Sequence, residues 1–413
     1  MKICIVGLGY VGLPLFLNLS KKFEVYGFDN SKKRVTNLKE GIDIYGESKR
    51  KEILPLIDRI KHSEQILENI DIYILTVPTP IDSQRKPDLK YLENATKLVS
   101  KYLKKGGTII YESTVFPGCT REICIPIIEE VSKLKLNQDF YIGYSPERLS
   151  PGKDGKKITD IVKVISGSNT KAIEILKKVY STIIRAGLFE APSIEAAEAA
   201  KIIENTQRDV NIALMNEFAL VLEKLGLHWS EVLPAAYTKW NFNKYYPGLV
   251  GGHCIGVDPY YLSFKAEQLG IKTKMVLAGR EVNENFAKET FNRYLNKRNN
   301  KNPNKILLAG ATFKEDCDDL RNSKVEEFCK FLDNEGIEFT LFDPSCSSDK
   351  TEKYLYKIEK KLKFKKYDQL ILLVPHQEFK DELSKNNHHF FGAKIEEFFS
   401  LRPLENFDKF TLI

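Results

Sequence analysis

Gly7-Leu8-Gly9-Tyr10-Val11-Gly12 decides the fold of the first part of this 413-residue chain. This loop directly follows Lys2–Val6, a short apolar run that predicts a buried strand, and an amphipathic stretch comes after it. In a G-x-G-x-x-G loop of this kind, the glycines allow a tight turn, close approach of a pyrophosphate and close helix–strand packing. The helix N-terminus would bind the pyrophosphate through its free amides. The predicted cofactor contacts in the loop are Gly7, Gly9, Tyr10, Val11 and Gly12.

An acidic residue follows the next predicted strand, Glu24–Phe28. Asp29 lies 20 residues after Gly9, where a carboxylate would accept hydrogen bonds from an adenine-ribose 2′-hydroxyl. The same carboxylate would repel a 2′-phosphate, so the sequence favours NAD over NADP. Arg34 is also a predicted cofactor contact, since a nearby arginine can bind that phosphate. The alternative is a glycine turn with a solvated aspartate.

Short runs rich in Ile, Val and Tyr alternate with helical segments and predict a doubly wound α/β domain with a parallel sheet. The predicted strands after the first two are Asp71–Val77, Thr108–Tyr111, Phe140–Gly143 and Val162–Ile165. Two of these strands end in Val77-Pro78-Thr79-Pro80 and Glu112-Ser113-Thr114. Ligands bind at the carboxyl ends of strands in such sheets. Pro78, Thr79 and Thr114 are therefore predicted cofactor contacts, although either segment could be a mere turn.

A long helix is predicted from Ile194 to Leu225, a segment without Gly or Pro that ends before Gly226. At 1.5 Å per residue it would be about 48 Å long, enough for a spine between two lobes and the core of a dimer. The polar segment Asn296–Asn304 predicts a linker, and strand–helix alternation resumes after it. The sequence thus predicts an α/β protein of two doubly wound lobes joined by a helical domain, with boundaries 1–190, 191–295 and 296–413.

Composition excludes several classes of protein. Apolar residues make up 42% of the chain and charged residues 29%, which excludes a disordered, collagen-like or disulfide-scaffold protein. A net charge of +7 without a basic stripe gives no support for nucleic-acid binding. The seven Cys and six His have no metal-site spacing. No apolar run approaches the roughly 20 residues that span a bilayer. We expect a soluble cytoplasmic protein with reduced thiols, no metal and no membrane partner.

Chemistry is concentrated in two segments. Gly251–Pro259 places Cys254 in a glycine-rich loop, predicted to lie at the start of a helix whose free amides would lower the thiol pKa. A nucleophilic cysteine and an inert one are both compatible with this pattern. Lys201 and Asn205 are four residues apart and share a face of the long helix. They could stabilise an oxyanion, or they could be a solvated surface pair.

Taken together, these motifs resemble the UDP-glucose/GDP-mannose dehydrogenase family over nearly the whole chain. The resemblance rests on GxGxxG, VPTP, EST, SPERLSPG (145–152), KxxxN in the long helix, GGHCIGVDPYY and FKEDCDDLR (313–321). It implies two Rossmann-like lobes joined by a helical dimerisation domain, with NAD on the N-terminal lobe. It also implies that a sugar C6 alcohol is oxidised twice, to a carboxylate, in a homodimeric enzyme whose substrate is a UDP-sugar.

The resemblance also implies roles for the catalytic residues. Cys254 would attack the C6 aldehyde to give a thiohemiacetal, which is oxidised to a thioester and hydrolysed. Lys201 and Asn205 would stabilise the C6 oxyanion, and Asp258 with a water would take the alcohol proton. Glu147 would assist hydrolysis.

Further contacts follow from the same resemblance. Thr114 would lie beside the nicotinamide, and Lys314 and Arg321 would bridge substrate and cofactor. Arg321 is therefore a predicted cofactor contact. The implied substrate contacts are Glu147, Arg148, Lys201, Asn205, Tyr245, Tyr246, Gly248, Gly251 and Lys314.

Departures from the family pattern indicate the substrate. UDP-glucose enzymes tend to show PEFLxEG, whereas this chain has Arg148 and, in place of the second glutamate, Pro151. The ERLSPG, GGHCIGVDPYYL and KWNFNKYYPG forms are similar to the branch that uses UDP-N-acetylglucosamine or UDP-N-acetylgalactosamine in surface-polysaccharide pathways. UDP-N-acetylmannosamine and UDP-glucose are alternatives. The sequence shows no clear counterpart of the arginine that some relatives carry late in the C-terminal lobe.

Two other classes of protein share part of this pattern. β-Hydroxyacid dehydrogenases join a Rossmann lobe to a long helix with Lys and Asn, but they need no catalytic Cys and usually lack a third lobe. A non-catalytic NAD-binding regulator would be expected to have lost Cys254, Lys201 or Asp258, and all three are present. The site therefore favours the nucleotide-sugar dehydrogenase over both.

Overall fold

The computed structural model describes residues 1–45, 48–149, 157–252, 254–299, 302–346, 354–385, 389–404 and 410–413. They form two compact units. The first unit contains Met1–Asn205 and Val257–Lys272, and the second contains Thr206–Gly256 and Thr273–Ile413. The predicted division into three domains at residues 190 and 295 stays a prediction. Pro151 and His253 lie outside the described residues.

The described chain alternates strands and helices on both sides of a helical middle. The strands are β1 Lys2–Val6, β2 Glu24–Phe28, β3 Ile60–Lys61, β4 Ile72–Leu75, β5 Gly107–Tyr111, β6 Phe140–Tyr144, β7 Lys163–Gly167, β8 Leu188–Glu190, β9 Ile306–Ala309, β10 Phe339–Phe342, β11 Ile358–Glu359, β12 Lys366–Leu372, β13 His389–Phe390, β14 Ala393–Ser400 and β15 Phe410–Leu412. The helices are α1 Gly12–Leu19, α2 Lys32–Lys39, α3 Arg50–Ile53, α4 Lys90–Tyr102, α5 Ile125–Ser132, α6 Thr170–Tyr180, α7 Ile194–Lys224, α8 Trp229–Ala236, α9 Asp258–Gln268, α10 Lys274–Lys297, α11 Val325–Asn334 and α12 Gln377–Lys385.

The sheet of the first unit has the strand order β3-β2-β1-β4-β5-β6-β7-β8, and β3 through β6 in that order are parallel. Alternate residues of β1 face two different cores: Ile3 and Ile5 pack with α1, whereas Cys4 and Val6 pack with α4. Both faces of the sheet are therefore covered, as the continuous apolar strands predicted. The predicted doubly wound α/β fold is confirmed.

The predicted direction of one strand, β7, is wrong. The sequence placed Val162–Ile165 in the parallel sheet, but β7 pairs antiparallel with β6, and β8 runs parallel to β7. A parallel return needs a crossover of a dozen or more residues, usually a helix. Among the described residues between β6 and β7, the connection contains only a short 3₁₀ turn, Ile158–Asp160. The chain therefore turns back instead of crossing over.

The second unit contains the other predicted α/β lobe. Its sheet has the order β11-β10-β9-β12-β14-β13, with β15 paired to β14. Neighbouring strands are parallel except for the β13–β14 pair. Within β12, Leu370, Ile371 and Leu372 are all buried.

The long helix agrees with its prediction, because α7 covers 31 residues from Ile194 to Lys224. The Ser193 hydroxyl accepts a hydrogen bond from the Ala196 amide at 3.1 Å and caps the start. Gly226, just beyond the end, has a φ of +75° that favours glycine. Among the described residues, no helix is long and apolar enough to cross a membrane.

Candidate functional site

The glycine loop has the geometry of a pyrophosphate cradle. Gly7 has a φ of +94°, and a Cβ on Gly12 would lie 1.8 Å from the Gly7 carbonyl oxygen. A Cβ on Gly9, in contrast, would meet no atom within 4 Å. Gly7 therefore makes the turn, Gly12 permits close packing of α1, and Gly9 leaves open space for a ligand. These residues fit the pyrophosphate of NAD.

We predict that Gly9→Ala weakens NAD binding at least about tenfold without loss of stability, because its methyl group would enter only the cofactor's space. NAD affinity by calorimetry and the melting temperature of the apoprotein check this. Gly12→Ala is the matched control and should lower the melting temperature, since its Cβ meets the Gly7 carbonyl. Unchanged NAD affinity in Gly9→Ala would place the pyrophosphate elsewhere.

Asp29 lies at the end of β2 and holds the glycine loop. Its Oδ2 accepts a hydrogen bond from the Leu8 amide at 2.9 Å, and its Oδ1 accepts one from the Ser31 amide at 2.9 Å. The buried Arg34 donates to the Leu8 carbonyl at 2.8 Å and pairs with Asp43 at 2.9 Å. Because Asp43 already pairs with this guanidinium, the arrangement fits a 2′-hydroxyl better than a 2′-phosphate.

The segments after β4 and β5 are joined by hydrogen bonds at the carboxyl edge of the sheet. The Thr79 hydroxyl donates to the Thr114 carbonyl at 2.6 Å, and the Ser113 hydroxyl donates to the Val77 carbonyl at 2.7 Å. Tyr261 of α9 adds a hydrogen bond to the Thr79 carbonyl at 2.7 Å. The structure therefore brings Pro78, Thr79 and Thr114 to one edge, as the sequence predicted.

Three of the predicted catalytic side chains belong to the first unit and lie on α7 and α9. Lys201, Asn205 and Asp258 are all buried. Asn205 Nδ2 donates to Asp258 Oδ2 at 2.6 Å. Burial raises the pKa of Asp258 to about 6, although the Lys201 charge and the Asn205 hydrogen bond oppose the increase. A carboxyl group with this pKa can accept a proton near neutral pH, which is what a general base requires.

Glu147 and Arg148 lie beyond the end of β6. Glu147 Oε1 accepts hydrogen bonds from the amides of Arg148 and Leu149 at 2.6 and 2.7 Å, and its Oε2 lies 3.1 Å from the Lys163 ammonium. Arg148 forms a two-point ion pair with Glu204 of α7, with contacts of 3.1 and 2.5 Å. The Arg148 guanidinium is thus paired with Glu204. Its contact with substrate stays a prediction.

The Cys254 loop belongs to the second unit. Cys254 is exposed, whereas the other six cysteines are buried, and none of the seven forms a disulfide. The prediction that it lies at a helix start is wrong, because α9 begins four residues later, at Asp258. The thiol therefore lies outside the first turn of α9. Only within that turn do the free amides of a helix lower a thiol pKa.

The glycines before the cysteine are needed for packing. A Cβ on Gly251 would lie 2.6 Å from the Asn322 carbonyl oxygen, and one on Gly252 would lie 2.8 Å from the Phe313 ring. Earlier in the loop, Asn216 of α7 accepts a hydrogen bond from the Gly248 amide at 2.8 Å and donates to its carbonyl at 3.2 Å. Close packing against Asn322 and Phe313 therefore favours glycine at both positions, and the implied substrate contact of Gly251 stays a prediction.

A cleft of about 960 Å³ lies within the second unit, and Tyr246, Glu315 and Arg402 are among its lining residues. Arg402 follows β14, contacts Glu315 at 3.5 Å, and would meet a Cβ on Gly248 at 2.9 Å. Arg402 was not among the residues predicted from the sequence. The available signal was its position just after the longest strand of the second sheet. Arg402 is therefore a candidate counterpart of the arginine that some relatives carry late in the C-terminal lobe.

The remaining predicted contacts of the second unit lie at or near the surface. Lys314 and Arg321 are exposed, and Tyr246 is 46% exposed with its ring edge toward Trp229 and Tyr237. Arg321 forms a two-point pair with Asp319 at 2.6 to 3.1 Å. Tyr245 is partly buried, and its carbonyl accepts a hydrogen bond from Tyr237 at 2.7 Å. Among the described residues, no group of three or more His, Cys, Asp or Glu could hold a metal ion.

Three family models match the chain in order along its length. Residues 1–184 match the NAD binding domain of the UDP-glucose/GDP-mannose dehydrogenase family, residues 195–285 its central domain, and residues 307–394 its UDP binding domain. Each match covers one of the three segments that carry the motifs.

The chain is also similar over its full length to known proteins and to solved structures. The chain is 43% identical to UDP-N-acetyl-D-glucosamine 6-dehydrogenase of Pseudomonas aeruginosa, with 100% of this chain and 99% of that protein covered. It is 41% identical to the protein of the same name from Salmonella typhi, with 99% and 98% covered. The native structure of the UDP-N-acetyl-mannosamine dehydrogenase Cap5O from Staphylococcus aureus is similar, with a TM-score of 0.85, 28% identity, and 100% and 97% covered.

Proposed function

Because this chain belongs to the UDP-glucose/GDP-mannose dehydrogenase family, we propose that it oxidises the C6 alcohol of UDP-N-acetylglucosamine to the uronic acid, with reduction of two NAD. The NAD-dependent dehydrogenase class and the UDP-sugar substrate class predicted from the sequence are confirmed. The observation that carries the reaction is the buried Lys201–Asn205–Asp258 cluster. The choice of sugar is supported by the full-length relatives at 41% and 43% identity.

The chain's own residues perform most of the chemistry in this proposal. NAD supplies the hydride acceptor. Asp258, through a water, takes the proton of the C6 alcohol, while Lys201 and Asn205 stabilise the oxyanion that forms. The Cys254 sulfur then bonds to the aldehyde carbon, and a second oxidation of this thiohemiacetal leaves a thioester. Hydrolysis, assisted by Glu147, releases the carboxylate and restores the thiol.

Homodimerisation is the proposed assembly, in line with the role expected for the long helix. Leu214, Phe218 and Val221 lie on α7, and Leu225 directly follows its end; these residues are spaced by four, three and four positions and are 41% to 67% exposed. Apolar side chains at this spacing form one stripe along a helix, and an exposed stripe of this length marks an interface. Sedimentation should give twice the chain mass of 47.4 kDa. A monomer at micromolar concentration would contradict the proposal.

We place the protein in the cytoplasm, since the seven cysteines form no disulfide and the proposed substrates are nucleotide-linked. We expect the uronic acid to be used in the synthesis of surface polysaccharides. Fractionation of cells that express the protein tests the location. Recovery of the protein in an extracellular or membrane fraction would contradict it.

NADH formation with limiting UDP-sugar tests the function. Purified protein is given UDP-N-acetylglucosamine, UDP-N-acetylgalactosamine, UDP-N-acetylmannosamine or UDP-glucose, and absorbance counts NADH per sugar. We expect two NADH per UDP-N-acetylglucosamine and little from UDP-glucose. Two NADH only from UDP-N-acetylmannosamine would favour the second candidate, which the likeness to Cap5O supports. One NADH per sugar would contradict the thioester route.

A further inference from the structure

A buried ion cluster lies against the predicted hydrolytic glutamate. The Lys163 ammonium, at the start of β7, contacts Glu112 Oε2 at 2.9 Å and Glu147 Oε2 at 3.1 Å. The exposed fractions of the three side chains are only 4%, 0% and 9%. A charge this deeply buried is destabilising unless it is paired and hydrogen-bonded. The two glutamates therefore stabilise the buried lysine at this position.

The cluster is closed by hydrogen bonds on every side that the structure describes. Tyr180 of α6 donates a hydrogen bond to Glu112 Oε1, and Lys163 also lies 3.4 Å from the carbonyls of Ser145 and Pro146. Glu147 Oε1 is held by two backbone amides. Each carboxylate thus has one oxygen on Lys163 and the other on different donors, so that rotation would break two contacts of Glu112 and three of Glu147.

The two carboxyl groups differ electrostatically. Burial alone would raise the pKa of Glu147, but Lys163 and the backbone amides outweigh it and hold this pKa below its ordinary value. Burial raises the pKa of Glu112 despite the same lysine. Among the described residues, two further charged groups near Glu147 are Lys201 on α7, which also favours the carboxylate, and Arg148, which is paired with Glu204.

We propose that Lys163 is a positioning residue for thioester hydrolysis: it fixes the Glu147 carboxylate in one orientation and in its ionised form, and Glu112 with Tyr180 fixes Lys163. The inference rests on the proposed function, because it assigns Glu147 to the hydrolytic step. In that step the oxygen of water bonds to the thioester carbon, one water proton passes to Glu147, and the carbon–sulfur bond breaks. The sulfur leaves as the Cys254 thiolate, so no oxidant or reductant is consumed.

Substitution of the lysine and substitution of its partner Glu112 should shift the pH dependence of hydrolysis in opposite directions. Lys163→Met leaves Glu147 beside Glu112 without the ammonium that bridges them, so the acid limb of the hydrolysis rate should move to higher pH. Hydrolysis at pH 7 should slow about 100-fold. Glu112→Gln removes the competing carboxylate, so the same limb should move to lower pH. Lys163→Arg should restore much of the rate because it restores the charge.

The measurement is a single turnover with UDP-N-acetylglucosamine at several pH values. NADH absorbance follows the two oxidations, and intact mass detects the acyl group on Cys254. We expect Lys163→Met to form NADH at near wild-type rate and to accumulate the acyl-enzyme. Lys177→Met is the matched control, since Lys177 forms a surface pair with Glu190 at 2.6 Å in the same unit. It should behave as wild type.

Two results would overturn the inference. One is acid release by Lys163→Met with the wild-type rate and pH dependence. The other is equal slowing of all steps in both Lys163→Met and Glu112→Gln with no opposite shift of the acid limb, which would indicate a purely structural role. If Lys163→Met does not fold, Glu112→Gln alone decides by the direction of its shift. Failure of wild type to form two NADH with any UDP-sugar would instead contradict the proposed function.

Discussion

Cys254→Ser should stop the reaction before free uronic acid appears, with acid release lowered by at least about 1000-fold. A serine hydroxyl is a weaker nucleophile at neutral pH and a poorer leaving group than a thiolate, so an ester would hydrolyse slowly if it formed. The first oxidation does not need the sulfur. Chromatography of the sugar nucleotide and intact mass of the protein measure the products.

Its exposure distinguishes Cys254 from the other six cysteines, so a buried cysteine can serve as a control. Cys254 is exposed and the remaining cysteines are buried. Cys346→Ser, in the core of the second sheet, is the control, because its 1% exposed thiol packs among apolar side chains. Its activity per folded molecule should match wild type. Uronic acid turnover by Cys254→Ser at the wild-type rate would contradict the nucleophile assignment.

Local patterns predicted the elements that depend on local physics. The glycine loop required only turn geometry, and α7 required only a segment free of Gly and Pro that stops before Gly226; both lie where the sequence placed them. Asp29 could be predicted equally well, because its position after β2 follows from the strand pattern alone. Its hydrogen bond to Leu8, however, shows that it also holds the loop from below.

Long-range pairing was not encoded in these patterns. A buried strand has the same composition in either direction, so the antiparallel entry of β7 could not be predicted from Val162–Ile165. Lys163 is separated from Glu112 by 51 residues in the chain, and only the sheet brings them together. A charged residue opening an apolar strand was nevertheless a usable signal, since buried lysines need partners. The Gly248–Asn216 contact, across 32 residues, offered no comparable signal.

Asp258→Asn should slow the first oxidation about 100- to 1000-fold, because the amide cannot accept the alcohol proton. The Asn205 hydrogen bond can persist, since an asparagine oxygen at residue 258 accepts it as the carboxylate does. In wild type, the rate of the first oxidation should fall below pH 6, where Asp258 becomes protonated. The variant should lose this acid limb. Asp160→Asn is the control, since Asp160 forms a surface pair with Arg185.

Stability gives an independent test of the same carboxyl group. Burial raises the pKa of folded Asp258 to about 6, above its value in the unfolded chain. Between roughly pH 4 and 6 the folded state therefore binds the additional proton, and its stability falls as pH rises through that range. From pH 4 to 7, wild type should lose about 2 kcal/mol in free energy of unfolding relative to Asp258→Asn. Urea titrations at both pH values measure the difference. Parallel pH dependences for the two proteins would mean that Asp258 is not desolvated and could not serve as the proposed base.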